Sequence, residues 1–223
     1  MTRSAARDYR DVACILLAAG GSRRLGAAKQ LIRYRTRPLL AHAIAAARGA
    51  LPRAPLIVVV GSEALRLRLV LRRAHSGARV VSNPRWREGM ATSLRSGLRA
   101  VPRTARAALV LLVDQPHVDA AAIARLVTAW RRHPGVPAAA RYDERVGVPA
   151  VLPRRRWSAL KTLTGDQGAR ALLRGAPSIT LVEMPEAALD IDTPADLLEL
   201  RGGASSSVAA PVSALTQPVA PLA

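Results

Sequence analysis

Short apolar runs recur along this chain at Val12 to Ala18, Leu56 to Val60, Arg79 to Ser82, Ala107 to Val113 and Ile179 to Met184. Each is rich in β-branched residues or leucine and is bounded by turn-forming residues, the pattern of a strand buried on both faces. Between the runs, Pro38 to Ala50 sets Leu39, Ala43, Ile44 and Ala47 at helical spacing, with Pro38 suited to a first helical turn. Glu63 to His75, Met90 to Ala100 and Ala120 to Arg132 repeat that periodicity. Strands apolar on both faces need cover on both faces, and intervening helices of about three turns provide it. The expected fold is therefore α/β, a three-layer domain around a mainly parallel sheet.

Beyond residue 134, Pro134, Pro137, Pro149 and Pro153 interrupt the pattern around two further strands, Ala138 to Tyr142 and Gly147 to Leu152. This stretch reads as an insertion overlaying the carboxyl edge of the sheet. The organisation expected is an N-terminal extension at 1–10, one domain at 11–201 and a tail at 202–223. The tail carries no charge, is dominated by Ala, Pro, Ser and Val, and is expected to be disordered.

The chain has 223 residues, half of them apolar, enough for a substantial core. No run reaches the roughly 18 apolar residues of a membrane span. Met1 to Asp11 mixes charges with no apolar signal core behind it, so a soluble, cytoplasmic protein is expected. The single cysteine, Cys14, lies in an apolar run and reads as core, which leaves no disulfide framework and no multi-cysteine zinc site. A net charge of +19 attracts polyanions, but Lys29 and Lys161 are the only lysines and arginine is spread throughout. That distribution is a compositional bias rather than a patch, and it favours a solvated basic surface over nucleic-acid binding. His42, His75, His117 and His133 are scattered without ligand spacing and read as structural or surface residues.

The segment Leu16 to Leu31, LLAAGGSRRLGAAKQL, carries the most chemistry. It leaves a strand, turns through Gly20, Gly21 and Ser22, and then delivers Arg23, Arg24, Gly26 and Lys29. Glycines let backbone amides approach an anion, and the cations that follow neutralise it, so a phosphate cradle is expected. The bland alternative is a glycine turn with solvated arginines. The spacing is neither a Walker A loop nor the dinucleotide G-x-G-x-x-G fingerprint.

Leu17 to Lys29 resembles the LAAGxSxRxGxxK signature of a nucleotidyltransferase family, and over roughly residues 10–200 the chain is similar to its molybdenum cofactor cytidylyltransferase branch. Ala18-Ala19-Gly20 resembles the cytidylyl rather than the guanylyl members, which usually show a Gly-Gly pair there. The resemblance implies a Rossmann-like domain that binds CTP with magnesium (Mg2+) and joins CMP to the phosphate of the molybdopterin cofactor, releasing pyrophosphate. A molybdenum hydroxylase would be the client for the product. Ala18, Ala19, Gly20, Gly21, Ser22 and Lys29 would then bind the nucleotide, with Arg24, Lys29 and Asp114 as the catalytic groups.

Three later segments extend the resemblance. In Asn83 to Gly97, Gly89 and Ser93 stand at a helix start, where family members contact the base; a plain helix start is the alternative. Asp114 ends the apolar run from Ala107, where open α/β sheets bind ligands and where a hard cation would find carboxylate oxygen; its alternative is a cap for a helix starting near Asp119. Val113 stands where relatives usually carry glycine. Asp190 and Asp192 alternate along an extended piece, which would send both to one face, and the resemblance makes one of them the partner of Asp114 around magnesium. Thr193 or Asp192 could instead cap the helix that follows. Gly165 and Asp166 resemble the acceptor-facing region of the branch, with a capped helix start as the alternative, while Val148 replaces the family's histidine in Gly-His-Pro and no role is carried over there. Rival readings are transfer to a sugar phosphate or polyol phosphate, a cofactor-delivery chaperone, and a basic nucleic-acid-binding protein.

Overall fold

The computed structural model describes residues 10–165, 168, 169, 173 and 176–202. Among them, seven strands form one sheet in the order β5-β4-β1-β6-β8-β7-β9. The first four in chain order are β1 (Val12–Ala18), β4 (Leu56–Val60), β5 (Arg79–Ser82) and β6 (Ala107–Leu112). A small separate ribbon pairs β2 (Arg33–Tyr34) with β3 (Arg37–Pro38). β1 sits between β4 and β6, parallel to both, with Cys14 beside Leu56 on one side and Leu109 on the other. Every residue of β1 and β4 is buried, as strands apolar on both faces require.

Helices α1 (Leu39–Ala50), α2 (Ala64–Arg73) and α4 (Ala120–Arg132) cover one face, where Leu40, Ile44, Leu67, Ile123 and Leu126 meet Cys14, Leu16 and Val58. α3 (Met90–Ala100) covers the other, pressing Leu94 and Leu98 on Ile15 and Val59, joined there by Leu163, Ala169 and Leu173. These are the three layers expected from the alternation. α4 is started by Asp119, whose carboxylate accepts the Ala122 N–H at 2.8 Å, so Asp114 is not the cap. Pro38 lies just before α1 in an extended conformation rather than within its first turn.

The stretch beyond residue 134 differs from the expected overlay. β7 (Ala138–Tyr142), β8 (Arg145–Pro153) and β9 (Thr180–Glu183) are strands of the main sheet itself. β8 runs antiparallel between β6 and β7, and β9 pairs parallel with β7. A two-residue turn at Asp143 and Glu144, with φ of 46° and 58°, closes the β7–β8 hairpin. Pro137 precedes β7 and Pro153 ends β8, while Pro149 lies inside β8 where its register against β7 shifts, so the chain completes the sheet instead of covering it. α5 (Pro194–Gly202) follows, with Leu200 returning to the first core. Among the described residues, no helix is long and apolar enough to cross a membrane.

Because β1, β4 and β6 are parallel, the segments that leave them gather at one edge of the sheet. That edge receives the glycine-rich loop, Gly61 and Asp114.

Candidate nucleotide and metal site

The loop after β1 is held by a residue that the sequence reading passed over. Gln30 is fully buried, and its Nε2 donates to the carbonyls of Ala18 at 3.1 Å and Gly20 at 2.8 Å. Ser62 adds its hydroxyl to Gly20 O at 2.9 Å and its N–H to Ala19 O at 3.2 Å. Engaging these oxygens from within the protein removes acceptors that would repel an anion on the loop. Ser22 turns with φ of 48°, and its hydroxyl accepts the Lys29 N–H at 3.1 Å, which aims Lys29 back across the strand ends.

Trp86 walls the loop. A β-carbon on Gly21 would lie 2.7 Å from its ring, and one on Gly61 would lie 2.5 Å from Ala19 O and 2.8 Å from Trp86 Cβ. Only glycine allows β4's exit, the loop and the indole to approach this closely. Arg87 stacks its guanidinium 4.5 Å from the centre of the Trp86 ring.

Opposite the loop, Lys29 Nζ donates to Asp114 Oδ2 at 2.5 Å and to Asp192 Oδ1 at 2.6 Å. The side chains of Lys29 and Asp114 are each 13% exposed, whereas Asp192 is 40% exposed and also takes Arg24 Nη2 at 3.3 Å. Burial pulls the Lys29 pKa down, but the charges and hydrogen bonds of Asp114 and Asp192 outweigh it, leaving the group above its ordinary value of 10.5. Lys29 is therefore charged at neutral pH. With the folded value above the unfolded one, its stabilising contribution is complete below the ordinary lysine range and is lost as pH rises through the folded value.

Two contacts place the distant acid. Ile191 N–H donates to Asp114 O at 2.9 Å, which docks segment 188–193 against the end of β6. Asp196 Oδ2 accepts the N–H groups of Asp192 at 2.8 Å and Thr193 at 2.7 Å, while Thr193 Oγ1 accepts from Asp196 N at 3.3 Å. The Asp192 N–H, followed by that of Thr193, holds the Asp196 carboxyl below its usual value. This reciprocal cap makes Thr193 the helix start and frees the Asp192 carboxylate for Lys29. Segment 188–193 is irregular rather than a strand, so alternation does not govern it. The acid that these hydrogen bonds bring to Lys29 is Asp192 rather than Asp190.

Beside the loop lies a cleft of about 290 Å³, lined by Ala18, Ala19, Gly20, Gly21, Lys29, Gly89, Ser93 and Asp114. Val113, the valine in place of glycine, is buried in the core while bordering the cleft beside Asp114. Gly89 precedes α3 with φ of 105° and ψ of 175°, a conformation reserved for glycine. Ser93 is buried, and its hydroxyl accepts from Asn83 Nδ2 at 2.9 Å, which keeps its own O–H for donation. Gly165, with φ of 55°, meets the start of α3 without lining the cleft, its carbonyl accepting the Ala91 N–H at 3.1 Å. Asp166 lies outside the described residues.

Asn83 also was not singled out. It donates to Thr92 Oγ1 at 2.8 Å and accepts the Arg85 N–H at 3.1 Å, tying the Trp86 turn to α3. Asn83→Ala is expected to cost about 1–3 kcal/mol by leaving buried partners unpaired, seen as a lower melting temperature with the cleft loosened. Gln115 Nε2 similarly bridges Val148 O and Ala187 O, both at 3.1 Å, and fixes the end of β6 between β8 and the turn at Pro185–Ala187. A long polar residue beside a candidate ligand, as at Gln30 and Gln115, is the signal that would have found these supports.

Comparison with known proteins matches residues 14–183 to the MobA-like NTP transferase domain. A relative from Paenarthrobacter nicotinovorans, nicotine blue oxidoreductase, is 33% identical over 201 residues, covering 83% of this chain and 94% of its own. The crystal structure of Rv0371c from Mycobacterium tuberculosis H37Rv is 30% identical with a TM-score of 0.73, covering 86% of this chain and 98% of that one. The same protein's complex with manganese has a TM-score of 0.70 at 29% identity, with coverage of 85% and 97%. A synthetase for CMP:2-keto-3-deoxy-manno-octonic acid, complexed with CTP, has a TM-score of 0.69, with coverage of 88% and 99%, and at 15% identity shares the fold alone. The chain is a nucleotidyltransferase and belongs to the MobA-like NTP transferase domain family.

Proposed function

We propose that this protein transfers CMP from CTP to the phosphate of the molybdopterin cofactor, with magnesium, and releases pyrophosphate. The observation that carries the reading is Lys29 and Asp114 lining one cleft with the glycine-rich loop, with Asp192 joined to them through Lys29. Choice of CTP rests on Ala18-Ala19-Gly20, and choice of acceptor on the resemblance of the whole chain to its branch.

The reaction needs an acceptor phosphate oxygen to attack the α-phosphorus while the bond to the departing pyrophosphate breaks on the opposite side. An ionised phosphate acceptor has no proton to lose, so no general base is required. Charge accumulation is the barrier. Amides of Gly20 to Ser22 with Lys29 and Arg24 would carry the triphosphate, Gly89 and Ser93 the base and sugar, and Gly165 the acceptor side. Asp114 Oδ1 is buried and has no hydrogen-bond partner among the described residues, and a second carboxylate lies across Lys29. Such a donor pair fits a hard divalent cation held by one or two carboxylates and completed by substrate phosphates. Asp114 and Asp192 would hold it, and the ion would offset charge on the reacting phosphates.

A second reading follows from the relative named as an oxidoreductase, whose identity extends over 94% of its length. Hydride transfer would call for a bound redox cofactor. Titration with CTP, GTP, ATP and reduced nicotinamide nucleotides separates the readings: CTP should raise the melting temperature most, and a response to the nicotinamide alone would favour redox chemistry. Arg24 is 77% exposed, so Arg24→Ala should weaken CTP binding only about two- to fivefold in the same titration.

A further inference from the structure

The position between Asp114 Oδ2 and Asp192 Oδ1, 2.5 and 2.6 Å from each, is filled by the protein's own ammonium group. A metal bridging those two oxygens would need the same space. The pair already meets two cations: Lys29 at these distances, and Arg24 on Asp192 at 3.3 Å. Without nucleotide, the pair therefore offers a divalent ion little net attraction, and Lys29 and Asp114, each 13% exposed, are shielded from the water and salt that would weaken their contact. Hydrogen bonds and charge hold Lys29 there, and no covalent bond does. Its backbone N–H is tied to Ser22 Oγ, so the side chain pivots from a fixed point beside the loop that faces the triphosphate.

We propose that Lys29 is the resident cation of the carboxylate pair, displaced when a triphosphate draws its ammonium onto the phosphates and a divalent metal takes its place. Resting on the assignment of loop and acids given above, this makes metal binding at Asp114 and Asp192 conditional on nucleotide. The protein in its resting state then keeps its acids paired and its cleft assembled without holding a metal, and Lys29 serves two partners in turn. The exchange forms and breaks no covalent bond; one cation leaves two carboxylates as another arrives.

Manganese titration of the nucleotide-free full chain, followed by the electron paramagnetic resonance signal of the free ion, tests it. Lys29→Met and Lys29→Gln should each bind manganese at least about tenfold more tightly than the unaltered protein, because the competing charge is gone. Lys29→Arg keeps that charge and should stay weak. Adding Asp114→Asn to either neutral variant should abolish the gain. Melting curves confirm which variants are folded, and Lys29→Gln, which keeps a donor for the acids, covers the case in which Lys29→Met is not. Manganese affinity that is unchanged in both neutral variants, yet lost with Asp114→Asn, would overturn the exchange and leave the metal assignment standing. Manganese binding indifferent to Asp114→Asn in every background would overturn the metal assignment itself, and the exchange with it.

Discussion

Asp114→Asn is expected to lower nucleotidyl transfer by about a hundredfold or more, since the several kcal/mol of transition-state charge stabilisation that a metal supplies convert at one decade per 1.36 kcal/mol. The substitution keeps size and one acceptor oxygen, and the backbone carbonyl that receives Ile191 N–H is untouched. Segment 188–193 should therefore stay docked and the loss should fall on kcat. Asp192→Asn should reproduce the defect, because Asp192 shares Lys29 with Asp114. Asp190→Asn should be milder. Initial rates of pyrophosphate release at saturating nucleotide, with melting temperatures alongside, decide the ranking; a larger loss in Asp190→Asn would move the second acid to that position.

Gly61→Ala should both destabilise the protein and weaken nucleotide binding. Its new β-carbon would stand 2.5 Å from the backbone oxygen of Ala19 and 2.8 Å from Trp86 Cβ. A backbone carbonyl in a loop pinned by Gln30 and Ser62 cannot turn aside as a flexible side chain does. Overpacking of this kind costs about 1–3 kcal/mol, and relief by shifting the loop would misplace its amides, for an affinity loss on the order of tenfold. Gly20→Ala is the control for stability, as a β-carbon there meets nothing within 4 Å. Equal melting temperatures for the two variants would show that the β4 exit and loop are not packed as described.

Periodicity made the central layers legible. β1 and β4 were readable to the residue because they are apolar throughout, and α3 and α4 because they are amphipathic at 3.6 residues per turn, whereas β5 has exposed ends at Arg79 and Ser82 and is not the strand buried on both faces that its run suggested. The antiparallel β8 was harder, since the turn joining it to β7 is Asp143-Glu144 and lacks the glycine that signals a hairpin. The strand expected at Gly147 to Leu152 lies within β8, but Pro149 and Pro153 suggested an overlay where the sheet itself continues. In the site, the glycine loop, Gly89 and Asp114 could be located because each sits at the end of a periodic element. Lys29 could be named but its partners could not, because they lie 85 and 163 residues away and meet it only through the sheet's topology. The Thr193-to-Asp196 cap was available as a four-residue pattern, and it explains why Asp192 is free to serve the site. Gln30 and Gln115 could be suspected from their places beside Lys29 and Asp114, but the carbonyls they serve are fixed only once the chain has folded.

The most direct measurement incubates the purified protein with magnesium, molybdopterin cofactor and each nucleoside triphosphate in turn, and follows pyrophosphate together with the nucleotide-linked pterin. The result expected is pyrophosphate and a CMP-linked cofactor formed in equal amounts with CTP, dependent on both metal and acceptor. Pyrophosphate release that ignores the pterin, or turnover only with GTP or with a sugar phosphate or polyol phosphate acceptor, would contradict the account.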